Sequence, residues 1–329
     1  MKYKRILIGL MIMSMTFLLT SCMSKPTVKW GYINKEGDMI IPIQFDAAAP
    51  FREGLAAVRM GDSKNGKWGY INSKGEFEIE PKFDGTHFFS EGLAAIRVGD
   101  EATGKWGFID KEGNMVIEPQ FGFTRGFNEG LAAVRVGDEA TGKWGFIDKE
   151  GNMVIEAQYI NATIFQDGLA PVQSTENKRK WGYINVEGEF EIEPKFEMAS
   201  YFSEGVAPVY IGDELAGEWS YIDQKGNIVF TLPEEYSYPG SFSEGLATFV
   251  WEEKEGEGAF GYLDKKGDVV IDPIFAYGYE FKEEMAPVKT GLSYDSKWGY
   301  IDKKGNIVLN GYWGVGTFED GLAPVGFQE

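Results

Sequence analysis

The stretch KWGFIDKEGNMVIEPQF, Lys105 to Phe121, decides how this chain is read, because it returns almost unchanged as KWGFIDKEGNMVIEAQY, Lys143 to Tyr159. Looser copies run outward in both directions. Their aromatic heads are Trp30, Trp68, Trp106, Trp144, Trp181, Trp219, Phe260 and Trp298, and they serve as structural markers of eight repeats. The step between heads is 38 residues, except for 37 before Trp181 and 41 before Phe260. A fixed period of this size is the mark of a repeat architecture and has to be settled before any motif is weighed.

Each repeat reads as three short strands. The first is WGYI or WGFI with its flanks, the second is MVIEPQF in the third repeat, and the third is LAAVRV, as at Leu131 to Val136. In WGFID, Trp106 and Phe108 fall on one face and Ile109 on the other, as strand alternation requires. DKEGN, with Gly113 seven residues after its head, suits a tight hairpin. GDEATGK, Gly137 to Lys143, reads as a longer polar connection. Pairing is expected in the order third, first, second. The chain then crosses to the next sheet through a link bounded by two aromatics six residues apart, such as Phe121 and Phe127. Those rings are expected to plug the seam between sheets. Prolines 81, 119, 194 and 273 stand in the second strand, which suits an edge. A total of 43 Gly and an aromatic share of 15% agree with many turns around a β core, and no helical period appears.

The repeat series opens with a first strand, VKWGYIN (Val28 to Asn34), and ends with a third strand, GLAPVGF (Gly321 to Phe327). The two are complementary. The expected fold is therefore all-β: eight repeats of about three antiparallel strands in a propeller-like closed ring. An open β-solenoid or superhelical array is the alternative.

The N-terminus pairs Lys2, Lys4 and Arg5 with an apolar run and ends in Leu19-Thr20-Ser21-Cys22, the only cysteine. That layout is a signal peptide over 1–21. Its ending resembles a bacterial lipoprotein lipobox, which implies lipidation of Cys22, a tether over 22–28 and a repeat domain over 29–329. The repeat phrase KWGYID-KKGN-IVI-P-F…F-EGLA-V resembles the bacterial WG-repeat (KWG) family over nearly all of the remaining chain. Departures are Ser220 for Gly, Phe260 for Trp and Ala157 for Pro. The resemblance implies a repeat module and carries no catalytic residues with it.

Chemistry-bearing patterns are sparse. The formal charge of −19 argues against nucleic acid as a partner. A single histidine, His87, reads as a solvated loop residue and excludes histidine-based zinc sites. No metal or cofactor is expected. Glu53, Glu91, Glu129, Asp167, Glu204, Glu244, Glu283 and Asp320 take matching places before the third strand. They read as turn carboxylates that accept backbone N–H bonds, or as a circle of negative charge. Departures from the repeat are the better guide to a site. The strand position of Arg59, Arg97 and Arg135 becomes Gln173, Tyr210, Val250 and Lys289, and aromatics gather late in the chain. Tyr210, Trp251, Tyr277, Tyr279, Tyr294 and Trp313 are the candidate binding residues, suited to sugar stacking or peptide recognition. The expected function is that of a non-enzymatic, lipid-anchored surface of the bacterial cell envelope, binding or scaffolding proteins or glycans. A carbohydrate hydrolase with paired carboxylates and a purely structural envelope protein are the alternatives.

Overall fold

A computed structural model describes residues 27–176, 180–212, 216–252, 258–291, 293 and 295–328. The leader, Cys22 and Tyr294 lie outside the described residues.

The described strands form eight sheets, and each has four antiparallel strands rather than three. In the blade headed by Trp68 the order is Ala47–Arg52, Leu55–Met60, Lys67–Ile71, Phe77–Phe83. The expected order third, first, second holds, with one more strand on its inner side. That extra strand lies within the link between the two aromatics. It was hidden in the sequence because its pairing is irregular: a register shift separates Ala48 from Phe51. In five blades it is only two residues long, as at Asn161–Ala162. The inner strand Gly85–Ser90 touches the inner strands of its two neighbours, Ala47–Arg52 and Phe123–Asn128, which places these strands around the axis.

Closure is made by both ends of the repeat series. Val28–Ile33 pairs along its whole length with Ala323–Gln328, from Val28 opposite Gln328 to Ile33 opposite Ala323. Gly314–Val315 and Met39–Phe45 complete this sheet, blade 1. Blades 2 to 8 follow in chain order, headed by Trp68, Trp106, Trp144, Trp181, Trp219, Phe260 and Trp298.

The glycine after each Trp has a steric cause. Trp106 pairs with Phe121 and Phe108 with Ile117, so the outer strand carries a bulge opposite Gly107. A Cβ on Gly107 would collide with the Ile117 carbonyl and stand 2.7 Å from the Pro119 nitrogen. Blade 6 carries Ser220 instead. There the outer strand stays in register across this position, Ser220 with Thr231 and Tyr221 with Phe230, and the Ser220 and Thr231 hydroxyls hydrogen-bond at 2.8 Å. The loss of the glycine and the loss of the bulge go together.

Seams between blades repeat just as closely. The ring two places after each head packs on a phenylalanine in, or just after, the next blade's inner strand. Examples are Tyr32 on Phe51 at 4.9 Å, Phe108 on Phe127 at 4.8 Å and Tyr300 on Phe318 at 4.8 Å. All of these rings are buried. Each buried ring contributes about 1.5–3 kcal/mol. Where the ring is tyrosine, its hydroxyl donates to a carbonyl in or beside the next blade's inner strand, as Tyr32 does to Ala49 and Tyr183 to Ser200, both at 2.8 Å.

Candidate functional site

Strand alternation gives the ring two faces. Counting each blade's strands outward from the axis, the two-residue turns joining first and second strands and the hairpins joining third and fourth lie on one. On the other lie the loops joining second and third strands and the crossovers between blades. The first is called the turn face, the second the loop face.

On the turn face, Glu53 and Gly54 bridge the paired residues Arg52 and Leu55, with φ of 54° and 83°. Two positive φ values in a two-residue connection define the type I′ hairpin turn. All eight repeated carboxylates sit at this first position with φ between 50° and 54°. They do not hold their own turns, as the sequence reading expected. Each accepts an N–H from the turn of the next blade. Glu53 accepts from Gly92 at 3.0 Å, Asp167 from Gly205 at 2.8 Å, Glu283 from Gly321 at 3.1 Å and Asp320 from Gly54 at 2.8 Å. Glu91, Glu129, Glu204 and Glu244 complete the circle. A hairpin lysine from that next blade meets five of them: Lys111 to Glu53, Lys149 to Glu91, Lys265 to Glu204, Lys303 to Glu244 and Lys35 to Glu283. Partial burial pushes the Glu53, Glu204 and Glu283 carboxyls up. The lysine and the backbone N–H outweigh it and hold them below the usual range. These carboxylates are spent on joining blades. The aspartates of the DKEGN hairpins are spent likewise: Asp110 accepts from the Asn114 backbone and side chain at 2.8 and 3.0 Å. Among the described residues no three His, Cys, Asp or Glu side chains are grouped to hold a metal ion.

The loop face is where blades differ. The candidate aromatics within the described residues fall on four consecutive blades. Tyr210 is in blade 6, Trp251 in blade 7, Tyr277 and Tyr279 in blade 8, and Trp313 in the crossover into blade 1. They do not share one role. Tyr210 is half-buried against Trp219 at 5.2 Å, and Trp251 is half-buried in the core of blade 7. Trp313 lies under the Lys297 ammonium. Tyr277 and Tyr279 are the open ones, 44% and 51% exposed. With two heads they form a ladder of rings tilted against one another. Phe260 and Tyr277 are 5.7 Å apart at 31°, Tyr277 and Trp298 6.1 Å at 32°, and Trp298 and Tyr279 5.5 Å at 33°. Tyr238 of blade 7, 55% exposed, extends the arc to Trp219. The sequence reading missed it, although it lies in the departure PEEYSYPG (Pro233 to Gly240).

Across the ring the same face is basic. Arg59 and Arg97 lean over Trp68 and Trp106, and Arg135 pairs in register with Trp144. Each has a buried Nε without a partner. His87 is not a solvated loop residue. It lies on the inner strand Gly85–Ser90, with its ring 4.6 Å from Trp106 and 5.8 Å from Phe123. Burial, aided by the nearby Arg125 guanidinium, lowers its pKa from 6.5 to about 4.

Eight four-stranded blades, closed by strands from both ends of the repeat series, define an eight-bladed β-propeller. The family model "WG containing repeat" matches at 30–63, 68–101, 106–139, 144–178, 181–214, 219–250, 260–291 and 298–326, and the chain belongs to this family. No curated protein matches the sequence. Among solved structures, an uncharacterised protein from Listeria monocytogenes is similar at a TM-score of 0.55 and 8% identity, over 81% of this chain and 94% of that one. The β-propeller domain of the trilobed protease from Pyrococcus furiosus is similar at 0.53 and 10% identity, over 81% and 96%. A eukaryotic initiation factor is similar at 0.53 and 10% identity, over 83% and 79%. These likenesses show the fold alone.

Proposed function

We propose that this propeller is a lipid-anchored, extracytoplasmic binding module of the bacterial cell envelope. Its loop face over blades 6, 7, 8 and 1 engages a protein or glycan without catalysing a reaction. The observation that carries this reading is the exposed ring ladder at Tyr277 and Tyr279. Flat exposed rings side by side offer stacking area at little cost in side-chain order. The turn face offers little by comparison, since its repeated carboxylates are tied to neighbouring blades. Anchoring rests on the sequence of the leader, where lipidation of Cys22 by two or more acyl chains gives stable attachment.

Binding is tested with residues 23–329 on a glycan array and in pull-downs from envelope extracts, beside Tyr277→Ala/Tyr279→Ala. The expected result is a bound glycan or protein that the double variant loses. Equal binding by both forms would remove the site from the ladder. Anchoring has its own test: Cys22→Ala is expected to abolish labelling by a lipid precursor and release the protein from membranes. A labelled Cys22→Ala form would refute it.

A further inference from the structure

The outermost strand of each blade is an open edge, and these edges are not alike. An unpaired strand edge invites pairing with another chain, and charges along it are a common defence. Two outward positions tell the blades apart. At the second residue of the outer strand, blades 2 and 5 carry Glu78 and Glu191, and the others carry an exposed Ile or Val. At the fourth, blades 2 to 5 carry Glu80, Glu118, Glu156 and Glu193, and blade 7 carries Asp272. Blade 6 has Thr231 there, blade 8 has Asn310 and blade 1 has Pro42. All of these fourth residues are exposed.

Blades 8 and 1 are therefore neighbours whose outer strands, Ile307–Tyr312 and Met39–Phe45, hold no charged residue. Both expose aliphatic side chains instead: Ile307 and Val308 in blade 8, Met39, Ile40 and Ile43 in blade 1. In a chain of net charge −19, this length of perimeter is set apart. The chain also enters the ring beside it. Trp30 pairs with Phe45, so Val28 stands at the loop-face end of the strand next to the blade 1 edge. Cys22 precedes Val28 by six residues. At most about 3.6 Å each, these residues reach about 22 Å. A lipid on Cys22 therefore keeps this corner of the ring close to the membrane surface.

We propose that the outer edge of blades 8 and 1 rests on the bilayer that holds the anchor, at the depth of the lipid head groups. The contact rests on the reading that Cys22 carries the lipid. Its depth is limited by the open strand edge. Unpaired N–H and C=O groups cannot enter the hydrocarbon, but water and head groups satisfy them at the interface. The aliphatic side chains add apolar area to the hold of the anchor, and the edge brings no carboxylate that would have to be desolvated there. Blade 6 is equally free of charge, but it lies away from the tether and is not part of the contact. The ring then stands upright, and the loop face with Tyr277 and Tyr279 opens along the membrane rather than into it.

The test places an environment-sensitive fluorophore on a single introduced cysteine. The sites are Ile40, Val308 and the matching position of blade 4, Val154, which are 45%, 48% and 49% exposed. Residues 23–329 have no cysteine of their own. They carry a hexahistidine in place of the leader and are held on phosphatidylcholine vesicles by a nickel-chelating lipid. Lipid spin-labelled at the head group is expected to quench the probe on Ile40→Cys and Val308→Cys and to leave Val154→Cys unquenched. Equal quenching at the three sites, or none at Ile40 and Val308, overturns the contact. So does a spectral shift at Ile40 and Val308 that grows with protein concentration without vesicles, which would assign the edge to a second copy of the chain. The supplied tether separates this contact from the anchor. A Cys22 that cells leave without lipid refutes the anchor whatever the quenching, and equal quenching refutes the contact whatever the state of Cys22.

Discussion

The two faces of this ring are made by the same repeat and have opposite characters. On the turn face every blade carries a carboxylate at positive φ, and every carboxylate bonds to the next blade. On the loop face the corresponding positions change from blade to blade: arginine, glutamine, tyrosine, valine and lysine succeed one another at a single strand position. A uniform position in a closed ring is what blade-to-blade joining requires, since every seam must have the same geometry. A position that varies without disturbing the seams is available for a ligand. Consensus in a repeat therefore points to assembly, and departure from it points to recognition.

That contrast can be broken experimentally, and the largest effect is expected at closure. Removing residues 321–329 takes away the strand paired with Val28–Ile33, with its buried Leu322, Ala323 and Val325, and uncovers Ile33, Tyr300 and Phe318, which pack against it. The loss of stability is expected to be on the order of 5 kcal/mol, read as a collapse of the denaturant midpoint. An unchanged midpoint would mean that the other sheets stand without the ring. Next comes Gly107→Ala, whose Cβ meets backbone that cannot yield. A cost of about 2–3 kcal/mol is expected in chemical unfolding. The same change at Gly54, with nothing within 4 Å, is expected to cost less and only through its positive φ.

The loop face has a pH signature. His87 is held neutral by burial, with a folded pKa of about 4 against 6.5. Below 6.5 the unfolded chain takes up a proton that the folded chain refuses, so stability falls as pH drops from 6.5 towards 4 and is level above that. Between pH 7.5 and pH 5 the loss is expected to be about 1–2 kcal/mol, and His87→Phe is expected to remove most of it. An equal loss in the variant would assign the effect to other groups. The turn face responds at lower pH. Its depressed glutamates stabilise the fold above their ordinary value of 4.5, and that contribution is lost as pH falls through their folded values. Glu53→Ala is expected to cost about 1–2 kcal/mol at pH 7, since it removes both the acceptor of the Gly92 N–H and the partner of Lys111. The smallest effect on stability belongs to Tyr277→Ala/Tyr279→Ala, within about 0.5 kcal/mol per site, because both rings are open. A large destabilisation there would make the ladder part of the core and weaken its claim to a ligand.

Much of this was legible in the sequence, and the reasons are local. The head-to-head period, the Gly of each hairpin and the aromatic pair six residues apart all express contacts that recur within one repeat or between neighbours. The match of Val28–Asn34 with Gly321–Phe327 exposed the closure, because a missing strand at one end of the series is supplied at the other. The inner strand was not legible. Its signal is two residues long in most blades, and its alternation is interrupted by glycine and proline. His87 was misplaced for the same reason, since its strand went unseen.

What the sequence determined by itself is the unit and its count: a β repeat, copied eight times, with a glycine after nearly every head. What only the tertiary structure decided is which residues meet across blades. Seven turn carboxylates reach the neighbouring turn about 40 residues further along the chain, and Asp320 reaches Gly54 across almost the whole of it. Periodicity is a property of the chain and can be counted along it. A contact between blades depends on how the ring curves and closes, and that is set by the packing of all eight sheets at once.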